Sequence, residues 1–562
     1  MFRGGHYNLN ILDTRQVINA FKGLPVYNKT SGLFASLVKP EFSAFIYGWH
    51  VDPSISDPSL AVTYLEDAIG KTPASMGAST FDYGDWENPF FMPKPCMLKN
   101  DGTVDYYLDE NDYSKKAGSQ EETYSWEQGN YGELVDSQLI KMPSTDGYYN
   151  KSIRTPYILT IPAGQEWIIS SKLGWSSTAR IADSSGVIIS IVSSNSTDNN
   201  PLIITASSSE RKLGIHAVRV VNGSVVNSVP SDYGEDLSII IRENSDISNS
   251  SYDGNAMMEW PLIWYKFEEG NADGEGYFYC SNQQIDSSYK CWCNLDSNGN
   301  VIPHFYTAIY NGTGTSKLRS LSGVQLTSAN GNGDTTAAQD ITKATANGTD
   351  WYIETLADRL LINALLVLMG KSLNTKAVYG NGVGALTAES TQALKESIIT
   401  GMCNDKGLFW GSKDDYTHPV KVFGMENWWG CVFRRNAGLL CKDSKYYIKL
   451  TKGTSDGTTV NDYSFTSISG YIQAGVSSPQ SSNLIKKMSF SQYGYFPAEV
   501  SSTNASWSSW LAVWNYYSEV SSALMGGVNY ARTGAFEIDF AKEPASAYTI
   551  SSCLSCKPVN KG

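Results

Sequence analysis

An α+β fold interrupted by an all-β domain is what this chain of 562 residues predicts. Three observations carry that expectation. The texture changes twice: it is Tyr/Asp/Pro-rich over residues 42–116, Ser/Asn-rich from about 118 to 250, and aromatic-rich again after Tyr252. Short runs of β-branched and aromatic residues recur between Gly, Pro, Asn and Asp turn signals, the pattern of strands. One stretch alone has strong helical periodicity, with Ile353, Leu356, Ala357, Leu360, Ala364, Leu365 and Leu368 at i, i+3, i+4 spacing.

Residues 1–41 form a mixed lead-in, expected to serve attachment or oligomerisation. Residues 42–119 open the host domain, where runs such as Phe45-Ile46-Tyr47 are punctuated by Asp-Pro and Asn-Asp-Gly. Residues 120–250 carry the runs Tyr157 to Ile161, Trp167 to Ile169, Val187 to Ile189, Leu202 to Thr205 and Leu237 to Ile241, and read as an inserted β-sandwich. Linker-like Ser/Asp/Glu-rich stretches at 118–122 and 243–251 bound it. Residues 251–562 resume the host domain. In its helix, Asp350 is expected as N-cap, Glu354 favours the positive first turn, and Gly370 closes the end.

Composition narrows the function. A formal net charge of −13 opposes a phosphate-tracking surface, so no nucleic-acid partner is expected. The N-terminus has no continuous apolar run, and the longest apolar stretch, 360–369, is broken by Asn363 and too short to span a bilayer, so no membrane insertion is expected. The nine cysteines show neither disulfide-scaffold nor zinc-site spacing. No cofactor or metal is expected, and bound calcium is not readable from sequence. Five dispersed histidines and the lack of nucleotide, zinc-protease or hydrolase motifs leave no catalytic residue to name. Asp414-Asp415 or Glu537/Asp539 supply carboxylates for a hydrolase pair, without spacing to support it.

The sharpest local feature is Gly424 to Gly438, GMENWWGCVFRRNAG. Glu426, Asn427, Trp428, Trp429 and Gly430 are expected as structural core, a buried aromatic pair beside a close backbone approach. This segment resembles the C-type-lectin-like core shared by formylglycine-generating enzymes and phage tropism determinants. IYGWHVDPSISDPSLAVTYLEDAIGKTPA (46–74), KPCMLKNDGTVDYYLDENDYSKKA (94–117), YDGNAMMEWPLIWYKFEE (252–269), WYIETLADRLLINALLVLMGKSLN (351–374) and NDKGLFWGSKDD (404–415) are similar to tail proteins of phages and prophages of gut bacteria. SSALMGGVNYARTGAFEIDF (521–540) and SSCLSCKP (551–558) resemble the variable region of retroelement-diversified proteins, placing such a region at about 505–556.

The resemblance implies a non-enzymatic tail-fibre or tail-tip protein of the virion, made in the host cytoplasm. It would be a homotrimer that joins other tail proteins and adsorbs to a host-cell receptor, protein or glycan. Trp507, Trp510, Tyr516, Tyr517, Asn529, Tyr530, Arg532, Glu537, Asp539, Lys542 and Tyr548 would bind the receptor, being of types that dominate binding hot spots. In 535–540 the strand period sends Phe536, Ile538 and Phe540 to the core and Glu537 and Asp539 outward. Two enzymatic alternatives stand beside this: a glycan-degrading tailspike, and an oxidase like the formylglycine-generating enzyme, for which Cys553 and Cys556 are the nearest thiol pair.

Overall fold

The computed structural model describes residues 25–27, 34–36, 44–133, 135–170, 175–193, 201–222, 224–226, 237–324, 335–384, 399–503, 506–513, 518–527, 533–543 and 550–559. Most of the lead-in 1–41 lies outside them. Its two described pieces, Pro25–Tyr27 and Phe34–Ser36, pair as antiparallel strands.

Three sheets organise the chain on either side of residues 120–243. A six-stranded antiparallel sheet runs in the order Trp351–Ile353, Leu554–Cys556, His304–Ala308, Gly254–Pro261, Lys94–Lys99, Val104–Tyr107. A four-stranded sheet is ordered Trp264–Glu269, Gly276–Ser281, Ile46–Val51, Val62–Glu66. A nine-stranded sheet has Phe433–Lys442, Ser521–Met525 and Ile538–Lys542 near its middle. That last sheet is mixed, because Trp510–Val513 pairs parallel with Ile538–Lys542 and Ile550–Ser551 parallel with Phe433–Lys442.

The expected α+β, C-type-lectin-like architecture is therefore corrected to a mixed β-sheet one. Among the described residues only Ala337–Thr345, Leu356–Gly370 and Thr375–Tyr379 are α-helical. Short motifs of glycine, acid and tryptophan encode tight turns and close approaches. They do not encode which strands pair across hundreds of residues, and that pairing decides the fold.

The central helix starts later than its periodicity suggests. Trp351–Ile353 is a strand, and the N-cap is Thr355 rather than Asp350, in a reciprocal capping box with Asp358. Lys371, left-handed at φ 47°, ends it. Every residue from Leu356 to Gly370 is buried, including Asp358, Arg359 and Asn363. A helix enclosed on all sides needs apolar residues all round, which is why its apolar face is so broad. Side chains tie it to its neighbours: Trp49 Nε1 donates to Ala364 O at 2.9 Å, Tyr379 Oη to Leu366 O at 2.7 Å, and Trp428 Nε1 to Asn363 Oδ1 at 2.8 Å.

The six-stranded sheet is covered on both faces, as its alternation requires. Met97, Ala256, Met258, Trp260 and Phe305 join the large core around the helix, while Cys96, Leu98, Met257, Tyr306 and Ala308 join a second cluster behind it. Between Gln120 and Glu243, two antiparallel sheets share a separate cluster that includes Ile161, Trp167, Ile181, Ile204, Ile215 and Ile239. Chain entry and exit lie side by side: Lys115 bridges Asn244, and Lys116 N donates to Glu243 O at 2.8 Å. The stretches read as linkers are partly strand, because Gln120–Tyr124 pairs with Leu237–Glu243.

Candidate active site

A single acid interrupts an apolar run in the six-stranded sheet. In Gly254–Pro261 (GNAMMEWP), Glu259 is 7% exposed. Register places it between Tyr306 on one side and Lys94 on the other. A carboxylate held this far from water needs partners, and it has two phenols. Tyr306 Oη donates to Oε2 at 3.0 Å and Tyr107 Oη donates to Oε1 at 2.9 Å. His304, opposite Pro261 in the register, brings Nε2 to 4.0 Å from Oε1. Burial, reinforced by Glu259, pushes the Tyr107 phenol up to about 12 and Tyr306 higher still. Both phenols therefore stay protonated and keep donating to the acid.

Glu259 borders a cavity of about 580 Å³, inside the size range of small-ligand sites. Two further carboxylates line it, Glu87 and Glu110, both exposed. Glu110 lies in a turn fixed by Asp109, whose carboxylate accepts Asn111 N at 2.9 Å and Asp112 N at 3.1 Å. Tyr83 and Phe90 give the cavity aromatic surface. The Tyr83 phenol is raised to about 12, by burial first and then by Glu110 and Glu87. Behind it, Phe81 stacks on Phe409 at 4.4 Å and meets Tyr83 edge-on at 4.9 Å.

Another part of the lining, Gly407 and Leu408, is held by the tryptophan-rich segment. Glu426 accepts Gly401 N at 2.7 Å and Cys403 N at 2.8 Å, Lys421 Nζ donates to Cys403 O at 2.7 Å, and Gly424 N donates to Leu408 O at 2.7 Å. Burial raises the Glu426 carboxyl and lowers Lys421 to about 8. Gly424 is required here: its φ is +79°, and a Cβ would come within 2.5 Å of Met258 Sδ and Tyr113 Oη.

Glu426, Asn427, Trp428, Trp429 and Gly430 are all buried. Trp429 Nε1 donates to Gly380 O at 3.2 Å, and Gly430, at φ +81°, packs against Val383. Among the described residues no group of three or more His, Cys, Asp or Glu side chains converges as a metal ion needs.

Of the residues expected to face a receptor, five are described, and two of those five are buried. Trp507 is 3% exposed and meets Phe536 edge-on at 4.8 Å, inside the large core. Glu537 is fully buried, contrary to the outward orientation expected from alternation. It precedes the strand Ile538–Lys542, which is interior to the nine-stranded sheet, and the segment Thr375–Tyr379 reaches it: Ala535 N donates to Thr375 Oγ1 at 3.2 Å. Asp539 and Trp510 are half-buried; Lys542 is exposed and pairs with Glu519 at 2.7 Å. Tyr516, Tyr517, Asn529, Tyr530, Arg532 and Tyr548 lie outside the described residues. Asp415 sits on a surface turn with His418 at 2.7 Å, away from the cleft's lining. Cys553 and Cys556 are buried free thiols, raised by burial.

Sequence reasoning passed over Glu259, Tyr107, Tyr306, His304, Tyr83, Glu87 and Glu110. The signal for the first was present: one carboxylate inside the apolar run AMMEWP.

No family model matches the chain, and no curated protein matches it. Solved structures do. The chain is similar to a GH2 β-galacturonidase from Eisenbergiella tayi bound to glycerol, with 9% identity, 37% of this chain and 46% of that one covered, and a TM-score of 0.15. It is similar to a β-glucuronidase from Ruminococcus gnavus in complex with uronic deoxynojirimycin, with 8% identity, 34% and 42% covered, and a TM-score of 0.14. The same enzyme with D-glucaro 1,5-lactone gives 8%, 37% and 49%, again at 0.14.

The chain thus spans less than half the length of these enzymes, and a likeness this slight assigns neither fold nor reaction. The expected place among phage tail receptor-binding proteins is nonetheless corrected. Within the chain, the lectin-like topology is absent from the described residues, and two of the supposed receptor contacts are core. The non-enzymatic adsorption role, the tail-fibre and retroelement assignments and the virion location fall with it.

Proposed function

We propose that the protein is a glycan-processing enzyme, a glycoside hydrolase working through paired carboxylates in the Glu259 cleft. The observation that carries this is Glu259 itself: a buried acid, both oxygens held by protonated phenols, bordering a cavity that contains further carboxylates. Glycoside hydrolysis needs this division of labour. One carboxylate, fixed and unprotonated, acts as nucleophile or base, and a second carboxyl protonates the departing oxygen. The phenols orient Glu259 for the first role. Glu110 is assigned the second, since its turn places it in the same cavity in contact with solvent that can resupply its proton. Tyr83 and Phe90 present aromatic surface to the apolar C–H face of a sugar ring.

The test is release of reducing ends from a panel of soluble glycans and aryl glycosides. Glu259→Gln keeps the shape and removes the charge, and is expected to lower the rate by about 10³-fold with the circular dichroism spectrum unchanged. An unaltered rate in Glu259→Gln, or no hydrolysis of any panel member by the unmodified protein, refutes the assignment.

A further inference from the structure

The large core encloses a charged cluster that the proposed reaction does not use. Glu354 lies between two arginines: Arg434 Nη1 donates to its Oε2 at 3.3 Å, and Arg359 Nε stands 3.7 Å from its Oε1. All three side chains are 3% exposed or less. Both guanidinium groups lie against the ring of Trp428, Arg359 at 4.1 Å and Arg434 at 5.3 Å from its centre. Arg434 is bonded further, its Nη2 donating to Asn311 Oδ1 at 3.2 Å and to Glu426 O. Arg359 is not: none of its three guanidinium nitrogens makes a hydrogen bond. Its place is nevertheless fixed, because Gly526, at φ +66°, leaves room for it where a Cβ would come within 2.4 Å of Nη2.

Two cations thus share one carboxylate, and a positive charge is left uncompensated away from water, which is costly. Burial lowers Arg359 only to about 10, so it stays charged at neutral pH. Glu537 also feels Arg359, but burial pushes its carboxyl up to about 8, and it is uncharged there. Arg359 borders a cavity of about 20 Å³ whose lining is otherwise chiefly apolar, with Leu360, Met525 and Phe536 among it. The other polar groups of the lining are engaged: Asn363 Nδ2 donates to Ala535 O and its Oδ1 accepts Trp428 Nε1, while Tyr495 Oη donates to Leu360 O. A space of this size holds one atom-sized occupant and excludes sulfate, phosphate or an organic acid. We infer that the cavity is a binding site for a single halide ion, chloride, held by the Arg359 guanidinium. A water molecule would solvate the guanidinium and leave its charge; a halide accepts from it and neutralises the cluster where the helix Leu356–Gly370 meets the Trp428 turn.

Bromide carries the test, because it scatters anomalously and takes the place of chloride. Crystals of the full chain soaked in sodium bromide are expected to show an anomalous peak in the cavity, within hydrogen-bonding reach of the Arg359 guanidinium. In solution, melting of the full chain is followed as sodium chloride replaces sodium gluconate at a constant ionic strength of about 0.3 M, gluconate being too large to enter the cavity. A saturating rise of about 3 °C is expected, as for a ligand that binds only the folded chain. Arg359→Met keeps the apolar stem, removes the charge, and is expected to abolish the rise. A bromide map with no peak at this place, a melting temperature that is the same in chloride and gluconate, or a rise that survives Arg359→Met overturns the inference. If Arg359→Met does not fold, the bromide map and the chloride titration of the unaltered protein decide it.

Discussion

Removing the Tyr306 hydroxyl tests the support of Glu259 directly. Tyr306 is 5% exposed and donates to Oε2 at 3.0 Å, so Tyr306→Phe leaves a buried carboxylate oxygen without that donor. A hydrogen bond to a charged group contributes about 1.5–3 kcal/mol, and a buried unpaired group costs at least as much. The loss is expected near 2 kcal/mol. Tyr107→Phe is expected to cost less, about 0.5 kcal/mol, because Tyr107 is 39% exposed and water can take the place of its phenol. The assay is a double-mutant cycle by urea unfolding with Tyr306→Phe, Glu259→Gln and the pair. If the phenol acts through the carboxylate, the cost of Tyr306→Phe falls by about 1–1.5 kcal/mol once residue 259 is neutral. In the hydrolase assay Tyr306→Phe is expected to lower kcat/KM, an effect read separately from the loss of stability. Additivity within about 0.3 kcal/mol would falsify the claim that Tyr306 is there to hold Glu259.

Two titrating groups make stability depend on pH in opposite senses. Burial, aided by Asp539, raises Glu537 to about 8, above its unfolded value, so its contribution is complete below about pH 4.5 and is lost as pH rises through 8. Glu537→Gln is therefore expected to raise the melting temperature at pH 8.5 and leave it unchanged at pH 4.5; equal shifts at both values count against burial as the cause. Burial, with help from Arg180, lowers His216 to about 4, and the folded state holds the ring neutral. That contribution is complete above about pH 6.5 and is lost as pH falls toward 4, so His216→Gln is expected to flatten the decline in stability between pH 6.5 and 4.5 by about 2 kcal/mol. An identical decline in both proteins, followed by urea midpoints, places the acid sensitivity elsewhere.

Local features were legible because they are set by neighbours in the chain. The apolar period of 353–368 announced a buried helix, and Trp428-Trp429 between Glu426 and Gly430 announced a crowded, close-packed turn. Even there the helix start was misplaced, since Thr355 and Asp358 close a reciprocal cap that competes with Asp350. Alternation in 535–540 put Phe536, Ile538 and Phe540 in the core, at 2%, 6% and 1% exposure. It failed for Glu537 because period two separates two faces of a strand without saying whether the second face meets water or another layer.

Tertiary structure alone decided the candidate site. Lys94, Tyr107, Glu259 and Tyr306 are spread over more than 200 residues, and only the register of four antiparallel strands sets them side by side. Nothing local to Glu259 names its phenol partners, because they arrive from strands whose pairing depends on the whole sheet. The lone acid in AMMEWP was visible as an anomaly. That it is a held carboxylate at the edge of a cleft, and not a surface charge, follows from burial, which no stretch of sequence contains.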